Sequence, residues 1–198
     1  MTTPSGNWPA FAEPVALDKA YRLINHGPTV LVSSAHDGQI NVMAAAWSMA
    51  LDFSPPKVTV VIDKATHTRQ LVDGSGFFAL NIPARNLAQA TVGVGTDSAK
   101  TMPDKLLRHG IVTFRSADSE LPLVEGCVGW LLCKVVPEPH NQNTYDLYIG
   151  EVVAAWADSR VFVQGHWQFD QAPDELRTLH YVAGGQFFVI GESLQVHG

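Results

Sequence analysis

Residues 40–82, INVMAAAWSMALDFSPPKVTVVIDKATHTRQLVDGSGFFALNI, constrain the fold more than any other stretch of the chain. Three runs within it, 40–51, 57–62 and 76–82, are apolar and extended in pattern and read as strands. The corner Pro55-Pro56 divides the first two, and a helix over 66–72, stopped by Gly74, divides the second from the third. The small residues Ala44-Ala45-Ala46 leave room for something flat to lie against backbone. The segment from Lys64 to Arg69 puts basic and hydroxyl side chains at a helix start, where an anion is favoured.

Upstream, TVLVSSAH before Asp37-Gly38 reads as the first strand of a hairpin whose return strand begins at Ile40. Before it, Pro14 opens a helix carrying Leu17, Ala20, Tyr21 and Ile24 at helical spacing, and residues 25–28 stop it. Residues 1–12 read as a flexible tail or an arm that clasps a partner subunit. Downstream, residues 83–92 read as a helix, 93–103 as a loop and 104–108 as a further helical turn. Residues 126–136 and 145–156 form a hairpin of long strands joined by a polar, Pro-containing connection. Shorter strands are expected at 111–116, 161–163 and 187–190, while 164–185 is poorly patterned.

At least six uneven strands with short helices between them point to a mainly β fold, a closed or nearly closed barrel. The alternative, an α/β layered sheet, needs a longer helix after each strand. There is no internal repeat and no linker, so residues 1–198 form one domain. The chain is 46% hydrophobic and only 16% charged, which favours an oligomer that covers part of its surface, with a two-fold dimer expected. A net charge of −6 argues against nucleic acid or an anionic membrane as partner. Residues 1–14 have no signal-peptide pattern, no apolar run is long enough to span a bilayer, and a cytoplasmic protein is expected. Cys127 and Cys133, placed in one strand, lie roughly 20 Å apart, too far for a disulfide.

Three elements are candidates for chemistry. Lys64, Thr66, His67 and Thr68 supply charged donors and hydroxyls for a phosphate, although a hydroxyl that merely caps the helix explains the same residues. Ala45 and Ala46, followed by Trp47 and Ser48, offer a flat wall and a hydroxyl to an isoalloxazine ring. Close packing of a helix against small residues explains them equally well. Asn81, an amide at a strand end, is either a ligand contact or a turn residue before Pro83. The Gly93-x-Gly95 element follows a helix and lacks the rest of a dinucleotide fingerprint, so it reads as a rim ending at Asp104 and Lys105. The eight histidines are scattered without metal-ligand spacing, no nucleophile elbow or P-loop is present, and Asp52 and Asp63 form no acid–base pair. A cofactor that carries the chemistry itself fits this pattern.

Residues 29–83 resemble the flavin reductase-like, flavoredoxin-type family through TVLVSS with its DG turn, NVMAAAWSMALDFSPPKVTVVI, KATHT and GFFALNIP. Looser matches follow at DKL, LVEGCVGWLLCKVV, LYIGEVV and HYVAGGQFF. The resemblance implies an FMN-binding split β-barrel of Greek-key-like closed form and a homodimer with FMN near the subunit interface. It places the ring along Ala45, Ala46, Trp47 and Ser48. Lys64, Thr66, His67 and Thr68 would meet the phosphate and ribityl chain, with Asn81 nearby and Lys105 at the rim. The segment holding His180, Tyr181, Gly184 and Gly185 would lie close by. The activity implied is transfer of electrons from NADH or NADPH to flavin or another acceptor. A cofactor carrier without turnover and a purely structural barrel are the competing readings.

Overall fold

The computed structural model describes residues 23, 27–116 and 119–196. The expected arm and the helix expected from Pro14 lie outside the described residues. The strands are β1 (Val30–His36), β2 (Gln39–Ala45), β3 (Ser48–Phe53), β4 (Pro56–Val61), β5 (Phe77–Ile82), β6 (Thr113–Phe114), β7 (Leu123–Val124), β8 (Gly129–Val136), β9 (Leu147–Ala157), β10 (Phe162–Val163), β11 (His166–Trp167), β12 (Leu179–Ala183) and β13 (Gln186–Val189). The helices are α1 (His67–Ser75), α2 (Ala88–Thr96), α3 (Lys105–Arg108) and α4 (Pro139–Tyr145).

The first hairpin forms where the sequence puts its turn. Asp37 and Gly38 both adopt positive φ, 48° and 74°, the conformation that a two-residue hairpin turn with the right twist requires. They close β1 on β2 with His36 opposite Gln39. Seven strands make one antiparallel sheet in the order β2-β1-β5-β8-β9-β4-β3. The 40–51 run does not form one strand. It breaks at Ala46-Trp47, so that β2 and β3, adjacent in the chain, stand at opposite edges of the sheet.

That break dictates the shape. Laid flat, seven strands place their outer edges roughly 29 Å apart. The link from Ala45 to Ser48 reaches about 11 Å at full extension. The sheet must therefore curl until its edges approach. Met43 and Ala45 from β2 accordingly pack on the same core as Val58 and Val60 from β4, together with Val32, Phe78, Leu80 and Tyr148. Of the closed or nearly closed barrel expected from the sequence, the curled, mainly β sheet is present, and among the described residues no ladder joins β2 to β3. At this corner the Val61 N–H donates to the Trp47 carbonyl at 3.0 Å.

Helices seal the curled sheet. Thr66 caps α1, its Oγ1 accepting from the Arg69 N–H, and the helix ends at Gly76 in the left-handed conformation (φ 72°). Gly74 is not the stop. It lies inside α1 because a Cβ there would fall 2.3 Å from the His36 ring. Likewise α2 runs on to Thr96 and takes in both glycines of the expected loop. A Cβ on Gly93 would meet the His109 ring at 2.2 Å, and one on Gly95 would sit 3.0 Å from the Ala44 Cβ. Helix α2 covers the outer face of β1 and β2 through Val94, Leu31 and Val42. The connection after β8 is itself helical, α4, with Pro139 in its first turn. The unpatterned 164–185 segment contains β12, which pairs with β13 and bridges back to Pro28 through His180.

Both cysteines are buried and free, Cys133 in the inner core and Cys127 beneath α2. Burial raises both thiols, Cys133 to about 12, so neither is a ready nucleophile. Among the described residues, no helix is long and apolar enough to cross a membrane.

Candidate functional site

Among the described residues β2 is an edge strand, with one row of its peptide groups facing no other strand, and three adjoining clefts open along it. The first, about 430 Å³, lies between Ala44–Ala46 and helix α2, with Tyr181, Gly184, Gly185 and Phe187 of the β12–β13 hairpin across from them. The second, about 450 Å³, is bounded by the same alanines with Trp47, Val61 and Asp63. The third, about 360 Å³, runs from Ala44 to the start of α1 and is lined by Thr66, His67, Thr68, Ser98 and Lys105. Ala44 borders all three, so they form one groove from the helix start to the hairpin.

The small residues serve two purposes at once. Ala44 receives Gly95 of α2 at close approach, which is the helix-packing explanation of the alanine run. The neighbouring Ala45 and Ala46 keep the groove wide along β2. Opposite them, Tyr181 and Phe187 stack edge to face with ring centroids 5.4 Å apart. They form an apolar wall suited to a flat ligand.

The helix-start end is polar. Thr66 spends its hydroxyl on the helix: it accepts from Arg69 and donates to the Asp63 carbonyl at 2.7 Å. Thr68 is fully buried and accepts from the Asn41 amide Nδ2 at 2.8 Å, which leaves the Thr68 hydroxyl proton to donate elsewhere. Lys105 is 2% exposed, and its ammonium donates to the carbonyls of Val94 and Asp97 at 3.2 and 3.0 Å. Burial lowers its pKa from 10.5 to about 8, against the opposing pull of Asp97. Lys100 reaches across to the Ala65 carbonyl at 2.7 Å, adding a cation near the helix start that the sequence does not advertise.

Of the residues expected at the site, Ala45, Ala46, Trp47, Thr66, His67, Thr68 and Lys105 line the groove. Lys64 is exposed and Ser48 pairs with Val60 in β3; neither lines these three clefts. Asn81 is fully buried, and its amide is consumed inside the protein. Nδ2 donates to the Leu31 carbonyl and to Ser33, and Oδ1 accepts from the Val124 N–H. It ties β5 to β1 and β7 and lines none of the three clefts.

Arg69, in the same motif, turns away from the groove. It donates to Asp73, Asp146 and the Gln142 carbonyl, and it covers the Tyr148 ring at 4.8 Å. Burial opposes its charge, but the two carboxylates outweigh that and raise the guanidinium further. This cluster, with the Tyr148 hydroxyl on Asp73, fixes α1 to β9. Asn41, Thr91 and Phe187, not expected at the site, also line the groove, as does Gly95 of the expected rim.

The flavin reductase like domain matches residues 21–185. The uncharacterized protein YddH of Escherichia coli (strain K12) is 44% identical over 182 residues, covering 90% of this chain and 95% of that protein. The crystal structure of an FMN-binding domain of a flavin reductases-like enzyme from Shewanella baltica OS155 is 55% identical. It superposes with a TM-score of 0.85 over 92% of this chain and 96% of that one. The flavoredoxin of Desulfovibrio vulgaris (Miyazaki F) shares the fold at 22% identity, with a TM-score of 0.72 over 96% and 97% of the two chains.

Proposed function

The chain belongs to the flavin reductase-like family, and from that premise we propose that it binds FMN in the β2 groove and acts as an oxidoreductase. In this reading it accepts hydride from NADH or NADPH and passes the electrons to flavin or another acceptor. The observation that carries the reading is the continuity of the groove. A helix start with hydroxyl and cationic groups leads, through Ala44, into a flat slot walled by Tyr181 and Phe187. A flavin mononucleotide has the matching sequence of parts: an anionic end, a hydroxylated tether and a planar ring.

The residues present fit that group. The α1 start, the Thr68 hydroxyl and Lys105 offer donors to a phosphate. The alanines admit a ring against backbone, and the outward peptide groups of an edge strand are suited to its polar rim. Bound FMN supplies the hydride and electron chemistry, and the protein supplies position and exclusion of water. No side chain of the ring slot needs to act as acid or base for this division of labour.

The homodimer belongs to the same proposal. Strand β3 presents Met49, Leu51 and Phe53 to solvent, and Phe53 is 92% exposed. An apolar edge of this kind next to the groove is a surface for a second copy. The experiment is anaerobic addition of NADH, then NADPH, to FMN-loaded protein. Loss of the flavin's visible absorption, reversed by an added acceptor, supports the oxidoreductase. Protein that holds FMN but is reduced by neither nicotinamide is a carrier.

A further inference from the structure

Among the described residues, three buried side-chain polar atoms have no hydrogen-bond partner: Ser34 Oγ, Asn41 Oδ1 and Thr91 Oγ1. Two of these three residues, Asn41 and Thr91, line the groove, and they do so in different clefts. Asn41 is 2% exposed at the helix-start end, and Thr91 is 1% exposed at the ring end. A buried polar atom left unpaired destabilises a fold, so such atoms are uncommon and ask for a reason.

The neighbouring hydroxyls show what Thr91 does not do. Thr96, on the same helix, donates back to the Val92 carbonyl at 2.9 Å, the usual outlet for a helical threonine. Thr29, across the cleft, accepts from the Tyr181 N–H at 3.0 Å. Thr91 has neither kind of partner. At the other end, Asn41 gives its Nδ2 to Thr68 and keeps an unused acceptor beside it.

We propose that Thr91 and Asn41 are ligand-contacting residues of the groove, completed only when a flavin mononucleotide is bound. Thr91 bonds the polar rim of the ring. Asn41 accepts from the hydroxylated tether and, through its bond to Thr68, holds that hydroxyl as a donor to the phosphate. Asn41 is therefore a positioning residue as well as a contact. This assignment rests on the FMN reading and adds the two residues that set ligand polarity at each end.

The test is titration of wild type, Thr91→Val, Thr91→Ser and Asn41→Leu with FMN and with riboflavin, alongside the melting temperature of each ligand-free protein. Thr91→Val should weaken both flavins about tenfold, because both carry the ring. Thr91→Ser should bind as wild type, and ligand-free Thr91→Val should melt no lower than wild type. Asn41→Leu should weaken FMN about tenfold and riboflavin less. Wild-type affinity in Thr91→Val, or equal weakening in Thr91→Ser and Thr91→Val, overturns the assignment alone. Wild-type protein that binds neither flavin overturns the FMN reading and this assignment with it.

Discussion

Replacing Lys105 with methionine separates a residue kept for a ligand from one kept for the fold. The Lys105 pKa falls from 10.5 to about 8 on burial. At about 1.4 kcal/mol for each tenfold, the folded protein thus disfavours this charge by about 3 kcal/mol relative to water. Methionine, of similar length, removes that penalty. It also leaves the Val94 and Asp97 carbonyls without their Nζ donor, at about 1 kcal/mol each. The ligand-free variant should therefore be as stable as wild type at pH 7, or about 1 kcal/mol more stable, by urea unfolding. Its FMN affinity should fall about tenfold or more, the worth of one charge-assisted hydrogen bond.

The pH dependence gives an independent check with a definite sign. Between about pH 8 and 10.5 the folded wild type has released the Lys105 proton while the unfolded chain still holds it. Wild-type stability therefore rises with pH through that window relative to the variant. Any advantage of Lys105→Met at pH 7 should shrink and reverse by about pH 10. A ligand-free variant destabilised by more than about 2 kcal/mol at pH 7 would instead make Lys105 a strut of the α2–α3 corner, kept for the fold.

Arg69→Met strands Asp73 and Asp146 beside Tyr148; with both carboxylates partly solvated, the loss should be about 2 kcal/mol in chemical unfolding, below the range for fully buried pairs. FMN affinity should change little, since Arg69 faces away from the groove. Phe53→Asp places charge on the exposed β3 edge and should shift the sedimentation profile from dimer to monomer with the fold intact by circular dichroism; an unchanged profile would free β3 from the interface.

The sequence speaks clearly where local chemistry decides and poorly where distant contacts do. Asp37-Gly38 announces its hairpin because only a few residues tolerate two successive positive φ values. Thr66 announces its cap by the same locality. The break at Ala46-Trp47 is silent, since the run 40–51 is apolar apart from Asn41 and Ser48 and neither marks the two edges of one curled sheet. Gly93 and Gly95 look like loop residues but sit in α2, required by His109 and Ala44 from elsewhere in the chain. Asn81 looks like a ligand contact because a polar residue in a strand is conspicuous. Its partners, Leu31, Ser33 and Val124, are 43 to 50 residues away and cannot be read locally. Thr91 is the reverse case, an ordinary helical threonine whose lack of a partner emerges only in three dimensions. The β12–β13 hairpin combines short strands with partial burial, so 179–189 has no strong period to read.

The groove along β2 should hold flavin mononucleotide. The visible absorption spectrum of the purified protein, followed by identification of whatever heat denaturation releases, tests it most directly. The expected result is a yellow protein that releases FMN, or a colourless one that turns into a stoichiometric complex on titration with FMN. A colourless protein that leaves added FMN free in solution would contradict it.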